Sequence, residues 1–285
     1  MLEMDWAEML TDFGTIAVLA LCYIVILLVA KALKDFLTPY HLIEELAKKN
    51  NPAIGITLGG YFLGVSFIFV GVVSGPSVSL QQDIFEVLGY SLLGLVFLNI
   101  SRWCLDKVVF SKFCNITAIV EDQNCGMAAV RCGVYVATGL IAGGSLHGEG
   151  GGLQTAVVFF FLGQVTLLLF TRVYDWLTPY HLQIEVERGN LAAGIGFGGT
   201  LAAVGLIIGR STYGSFAGWA ENLILFAELA ISGAILLFVA RFLVDKLILT
   251  GHDLNAEIAI DQNVAAGFLE MFCSIGFAIV LVALI

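Results

Sequence analysis

Three ionisable side chains, Arg131, Glu228 and Glu270, stand inside stretches apolar enough to lie in lipid. A charge at such depth is costly unless paired or hydrated, so each is a functional hypothesis by default. Arg131 and Glu270 are equivalent under an internal offset of 139 residues, each seven residues beyond a matched asparagine. With a helical rise of about 1.5 Å per residue, both sit ~10 Å below that asparagine. Opposite charges at equal depth, related by a pseudo-twofold axis, predict a pair across two halves of the molecule. Such a pair is either a structural ion pair that sets how the halves dock or one station of an ion path. Glu228 has Gly89 as its counterpart and no basic residue at its depth. That predicts a carboxyl facing a hydrated cavity between helices.

Two further polar patterns recur. Asp122-Gln123-Asn124 and Asp261-Gln262-Asn263 each open a predicted helix. The aspartates suit the positive end of the helix dipole, and the Gln-Asn pairs read as a polar mouth. Thr38-Pro39-Tyr40-His41 returns as Thr178-Pro179-Tyr180-His181. Here threonine reads as an N-cap with proline in the first helical position, opening a short amphipathic helix at the membrane surface. In that helix Glu44 and Lys48, and Glu45 and Lys49, are spaced for i,i+4 pairing. The histidines could titrate or bind metal, yet one per repeat beside a tyrosine reads more simply as a polar contact. No metal site or cofactor is expected: the six cysteines show no metal-ligand spacing.

These residues are positioned by a duplicated membrane domain. Leu37 to Leu42 returns verbatim as Leu177 to Leu182, and Asn51, Gly55, Gly59, Arg102 and Asp106-Lys107 return as Asn190, Gly194, Gly198, Arg241 and Asp245-Lys246. A self-similarity of this length means one folding unit occurs twice. Hydrophobic residues make up 59% of the 285-residue chain and charged residues only 13%, well below the quarter usual in soluble domains. The fold class is therefore an all-α integral membrane protein.

Eight spans are predicted: 13–30, 51–82, 87–101, 123–145, 150–171, 189–209, 222–240 and 262–285. Most are long enough for a hydrocarbon core of about 30 Å. Four helices per repeat make the halves parallel, related by a pseudo-twofold axis along the membrane normal, which excludes inverted repeats. The domains read as 1–147 (leader 1–13), a linker 148–152, and 153–285. Glycine ladders in the second and sixth spans, such as Gly55-x3-Gly59 and Gly194-x3-Gly198, predict close helix packing.

Of 13 Lys and Arg residues, 11 fall in or beside the four loops that follow the odd-numbered spans, including Lys31, Lys34 and Lys112. The positive-inside rule places those loops in the cytoplasm and both termini outside, which fits the acidic leader Glu3, Asp5, Glu8 and Asp12. The net charge of −10 leaves no nucleic-acid footprint.

The order of these features resembles the DUF350 family, a bacterial membrane domain of unknown function often present twice in one chain. The resemblance is carried by Thr-Pro-Tyr after the first helix, Asn before a glycine-rich second, Arg-x3-Asp-Lys, and Asp-Gln-Asn opening the fourth. It covers roughly 14–145 and 153–285, and it implies a bacterial inner-membrane protein, sometimes in an envelope-stress setting. In that family the fourth helix usually carries an acid shortly after the asparagine. Glu270 matches and Arg131 departs, so the halves have specialised. Enzyme motifs such as HExxH, GxSxG and GxxxxGK are absent from the sequence, and catalysis is not expected. Two classes remain. One is an ion or small-solute pathway at the repeat interface. The other is a membrane scaffold recruiting a cytoplasmic partner. Besides the lipid bilayer, a homo-oligomer is a candidate partner.

Overall fold

The computed structural model describes residues 6–77, 79–108, 115–147 and 150–285. The expectations on Glu3, Asp5, Lys112, Cys114, Gly148 and Glu149 lie outside the described residues, as do those on the side chains of Glu8, Asp12 and Asp106. The chain is all helical in its regular elements: α1 (Trp6–Leu37), α2 (Pro52–Val73), α3 (Leu80–Val108), α4 (Asn115–Val120), α5 (Cys125–His147), α6 (Gly152–Leu177), α7 (Leu182–Glu187), α8 (Leu191–Ser211), α9 (Trp219–Leu243), α10 (Leu254–Ala259) and α11 (Val264–Leu284). A π-helical turn, Glu44–Lys48, precedes α2, and a second, Val244–Ile248, extends α9. Among the described residues, eight helices are long and apolar enough to cross a membrane: α1, α2, α3, α5, α6, α8, α9 and α11.

The short helices α4, α7 and α10 and the turn at Glu44 all lie on one face, called here the connector face, each just before a spanning helix. The spans run further toward this face than the hydropathy breaks implied. Lys34 belongs to α1, Arg102 to α3, Arg172 to α6 and Arg241 to α9. A helix continues while its backbone bonds can form, and long basic side chains let it leave lipid gradually.

α2, α5, α8 and α11 pack in that order as a continuous row, with α5 and α8 the most enclosed. α1 and α3 flank the first half; α9 covers α8 and α11; α6 wedges against α5 and α8, across the seam between the halves. The glycines allow this closeness. A Cβ on Gly133 would lie 2.1 Å from the Gly198 carbonyl oxygen, and one on Gly139 would lie 2.4 Å from that of Gly64. Backbone-to-backbone contact supplies dispersion where burial of apolar area gives no drive between helices.

Asparagine, not aspartate, opens these four helices. Asn51, Asn124, Asn190 and Asn263 each accept backbone N–H bonds with the side-chain oxygen, as at Ala193 N, 3.0 Å from Asn190. Asp122 and Asp261 stand in the turn before, and Gln123 and Gln262 take the left-handed conformation at φ 50°. The capping expected of the aspartates thus passes two residues on, because an amide caps and donates at once while a carboxylate only accepts. The threonine reading also shifts. Thr38 and Thr178 close α1 and α6 instead of opening the next helix: the Thr178 hydroxyl donates to the carbonyls of Tyr174 and Tyr180 at 3.2 Å each. Asp175 Oδ1 accepts from Leu182 N at 3.0 Å and begins α7. Both i,i+4 pairs expected near Lys48 and Lys49 form, the second at 2.6 Å.

Asn190 is fully buried and also donates to Ile258 O at 2.8 Å, while Asn263 is exposed. Asn190→Ala should therefore lower stability by about 2–3 kcal/mol, losing a cap and stranding buried polar groups, against about 1 kcal/mol for Asn263→Ala. Unfolding in detergent monitored by circular dichroism checks the difference; equal losses would mean that the buried bond contributes nothing.

Candidate functional site

The buried polar cluster of the second half is built from α6, α9, α10 and α11. Glu270 on α11 is 1% exposed and forms an ion pair with Arg241 on α9. Tyr174, near the end of α6, donates its hydroxyl to Glu270 Oε1 at 2.8 Å and accepts from Arg241 Nη1 at 2.8 Å. The guanidinium lies 5.2 Å from the Tyr174 ring centroid, so both the ring face and the hydroxyl hold it. Its other end reaches the connector face, donating to Asn255 Oδ1 at 2.9 Å and to Tyr180 OH at 3.5 Å. One turn deeper than Glu270, the hydroxyls of Ser274 and Thr200 lie 3.3 Å apart. Glu270, Thr200, Ser274 and Arg241 line a cavity of about 10 Å³, roughly one water in size. Gly196 makes room for the carboxylate: a Cβ there would lie 2.6 Å from Glu270 Oε2. Hydrogen bonds thus run in one string from the half-buried Asn255 to Glu270, and the Thr200–Ser274 pair lies beyond it across the small cavity.

The first half keeps the geometry and changes the chemistry. At the 139- and 140-residue offsets, Lys34 stands for Tyr174, Tyr61 for Thr200, Arg131 for Glu270 and Tyr135 for Ser274. Lys34 is 1% exposed; it donates to the Tyr135 hydroxyl and lies 4.9 Å and 4.6 Å from the ring centroids of Tyr61 and Tyr135. Those rings meet edge-on at 5.3 Å, and the Tyr61 hydroxyl donates to Ala30 O at 3.3 Å. Burial pushes the Tyr40 hydroxyl, on the connector face, above its ordinary pKa; the nearby Arg131 and Arg102 oppose that rise, while Tyr135 and Glu45 add to it. Arg131 is 4% exposed and lies close enough to Tyr40 to act on it electrostatically.

The expected pair between Arg131 and Glu270 is therefore not made. Both are buried, but Glu270 finds its cation on α9 of its own half, and Arg131 lies near Tyr40 of the first half. Depth follows from residue count; direction follows from packing. Glu228 is exposed on the outer face of α9, in line with Ile224 and Ile231, and does not face a cavity between helices. His41 and His181 are exposed at the connector face. Gln123 and Gln262 serve the turns, and the asparagines after them cap; no polar mouth is formed by Asn124, whose side chain is buried against Val186 O at 2.7 Å.

The seam between halves carries two features that spacing alone did not show. Along α5 and α8 it is glycine against backbone. Beside it, Ser101 of α3 shares hydrogen bonds with Thr138 of α5 and Gln164 of α6, while Phe97 stacks on Phe160 at 4.0 Å. Lys34, Tyr174 and Asn255 were legible only as positions in the repeat alignment; the substitution of Lys34 for Tyr174 at matched positions was the available signal.

Comparison with known proteins follows the duplication. The family model described as Domain of Unknown Function (DUF350) matches residues 8–146 and again 150–285. A relative named UPF0719 transmembrane protein, from Aquifex aeolicus (strain VF5), is 22% identical over 179 residues, 61% of this chain. The match spans 64% of that relative's length. No solved structure matches the chain.

Proposed function

We propose a function on the premise that the chain belongs to the DUF350 family, as two tandem members of it. The proposed activity is movement of protons or small ions along the buried polar strings, with no catalysis of bond chemistry. The observation that carries it is the hydrogen-bonded string Asn255–Arg241–Tyr174–Glu270, whose carboxylate has one oxygen without a hydrogen bond and shares a water-sized cavity with the Thr200–Ser274 hydroxyl pair. A buried carboxylate held by an arginine and a tyrosine hydroxyl can exchange partners or take up a proton, which an apolar contact of the same size cannot. The path would run within a half, beside the glycine seam and not through it. We place the connector face in the cytoplasm of a bacterial inner membrane, because its loops and helix ends hold most of the basic residues.

The test is flux into proteoliposomes carrying a pH-sensitive dye, driven by proton and cation gradients. Wild type should exceed empty vesicles. Glu270→Gln should fall to the empty-vesicle level, and Thr200→Val, close in volume, should reduce flux several-fold while lowering stability by only about 1–2 kcal/mol, the cost of leaving the Ser274 hydroxyl without its partner. A wild-type rate equal to empty vesicles across ions and gradients would remove this reading. The scaffold reading would then stand. Its support is Phe36 and Trp176, matched at the 140 offset, 85% and 81% exposed, and placed where a peripheral partner could cover them.

A further inference from the structure

The row α2, α5, α8, α11 is built by one repeated step, and the step is unfinished at both ends. In each step the asparagine that opens one helix donates its amide to the short connector before the next. Asn51 donates to Ile119 O at 3.0 Å, ahead of α5; Asn124 to Val186 O at 2.7 Å, ahead of α8; Asn190 to Ile258 O at 2.8 Å, ahead of α11. Asn263 is the fourth. Among the described residues no helix follows it in the row, and its amide turns back to Glu257 Oε2 at 2.7 Å, in an exposed position.

The helix faces repeat the pattern. Across the seam, a Cβ on Gly198 would lie 2.5 Å from Ala129 O, and one on Gly133 2.1 Å from Gly198 O. Carried forward by 139 residues, Ala129 and Gly133 become Phe268 and Phe272 on α11, 42% and 63% exposed and stacked with centroids 6.0 Å apart. Carried back by the same offset, Gly198 becomes Gly59 on α2, where a Cβ would meet nothing within 4 Å. With exact twofold closure, α11 would pack on α2 of the same chain as α5 packs on α8. Instead the four helices border an apolar groove of about 500 Å³, with Ile56 and Leu63 on one edge and Phe268 and Met271 on the other.

We propose that a second copy of this chain continues the row. The Phe268–Phe272 ridge of α11 fills the glycine notch at Gly55 and Gly59 on α2 of the next copy, a knob where the seam within the chain has glycine on glycine. Asn263 then gives its amide to the connector carbonyl at Leu46, the position matched by Val186, as Asn124 does inside the chain. The contact is heterologous, and the row curves toward the groove that all four helices line, so successive copies close into a ring. Small residues against large ones supply packing that lipid chains on a notched surface do not.

The test uses full-length chains free of native cysteines. A Gly59→Cys chain and a Phe272→Cys chain with different tags are co-expressed and oxidised in native membranes. A cross-linked species carrying both tags is expected, with neither chain linking to itself. Only monomers, or self-linked species alone, would overturn the proposal. Gly59→Leu gives the second measurement, since it fills the notch without touching the packing of its own chain. Single-molecule photobleaching in native-lipid discs should show several steps for wild type and one for Gly59→Leu. Wild-type particles that bleach in one step, or an unchanged step count in the variant, would overturn the ring.

Discussion

Replacing Glu270 by alanine should lower stability by about 3–5 kcal/mol, because it leaves the Arg241 guanidinium buried without its carboxylate. Arg241→Ala should cost a similar amount for the converse reason. The double variant should recover much of the sum, since neither charge then remains stranded, and a coupling of more than about 1 kcal/mol is expected. The parallel cycle between Arg131 and Glu270 should be additive, because the two lie near different partners in different halves. Glu270→Gln separates charge from packing: it keeps an acceptor for Tyr174 and should cost less than alanine. Denaturation in a mild detergent with a helical signal provides all of these values. Strong coupling of Glu270 with Arg131 and none with Arg241 would overturn the site as described.

The second large effect is steric. Gly133→Val and Gly198→Val should each destabilise by roughly 3 kcal/mol or more, since a side chain at either position meets backbone and the helices must separate. Gly59→Val should change the stability of the detergent-solubilised monomer by less than about 1 kcal/mol, because nothing lies within 4 Å of its Cβ position. Gly59 and Gly198 are the same residue of the repeat, so sequence position predicts equal effects and the structure predicts unequal ones. Equal melting temperatures for Gly59→Val and Gly198→Val would mean the seam is looser than described.

The site was legible in part. Arg131 and Glu270 stood out because a charge interrupts an apolar run, and both are buried as that implies. Lys34 did not stand out: it lies near the end of α1, where a basic residue reads as a boundary, yet it is 1% exposed. Tyr174 and Asn255 carry no charge, and hydropathy passes over them. Asn124 and Asn263 were visible as a repeated pair, but local dipole reasoning favoured the aspartates before them; the left-handed turns at Gln123 and Gln262 moved the cap.

Composition, run length and repeat offset are local or additive properties, and they were sufficient for the class, the eight spans and the duplication. They also set the depth of each charge, since rise per residue is constant along a helix. Direction around the helix axis and choice of neighbour are not additive. Glu270 pairs with Arg241 because α9 covers that face of α11, and Glu228 points outward because no described element covers that side of α9. Equivalent residues part company for the same reason. Gly198 meets a helix and Gly59 does not, because two copies of one unit were joined by a step that the chain takes only once. The sequence alone determined what each half is made of; the packing of the halves decided which of its faces are partners and which are left for another molecule.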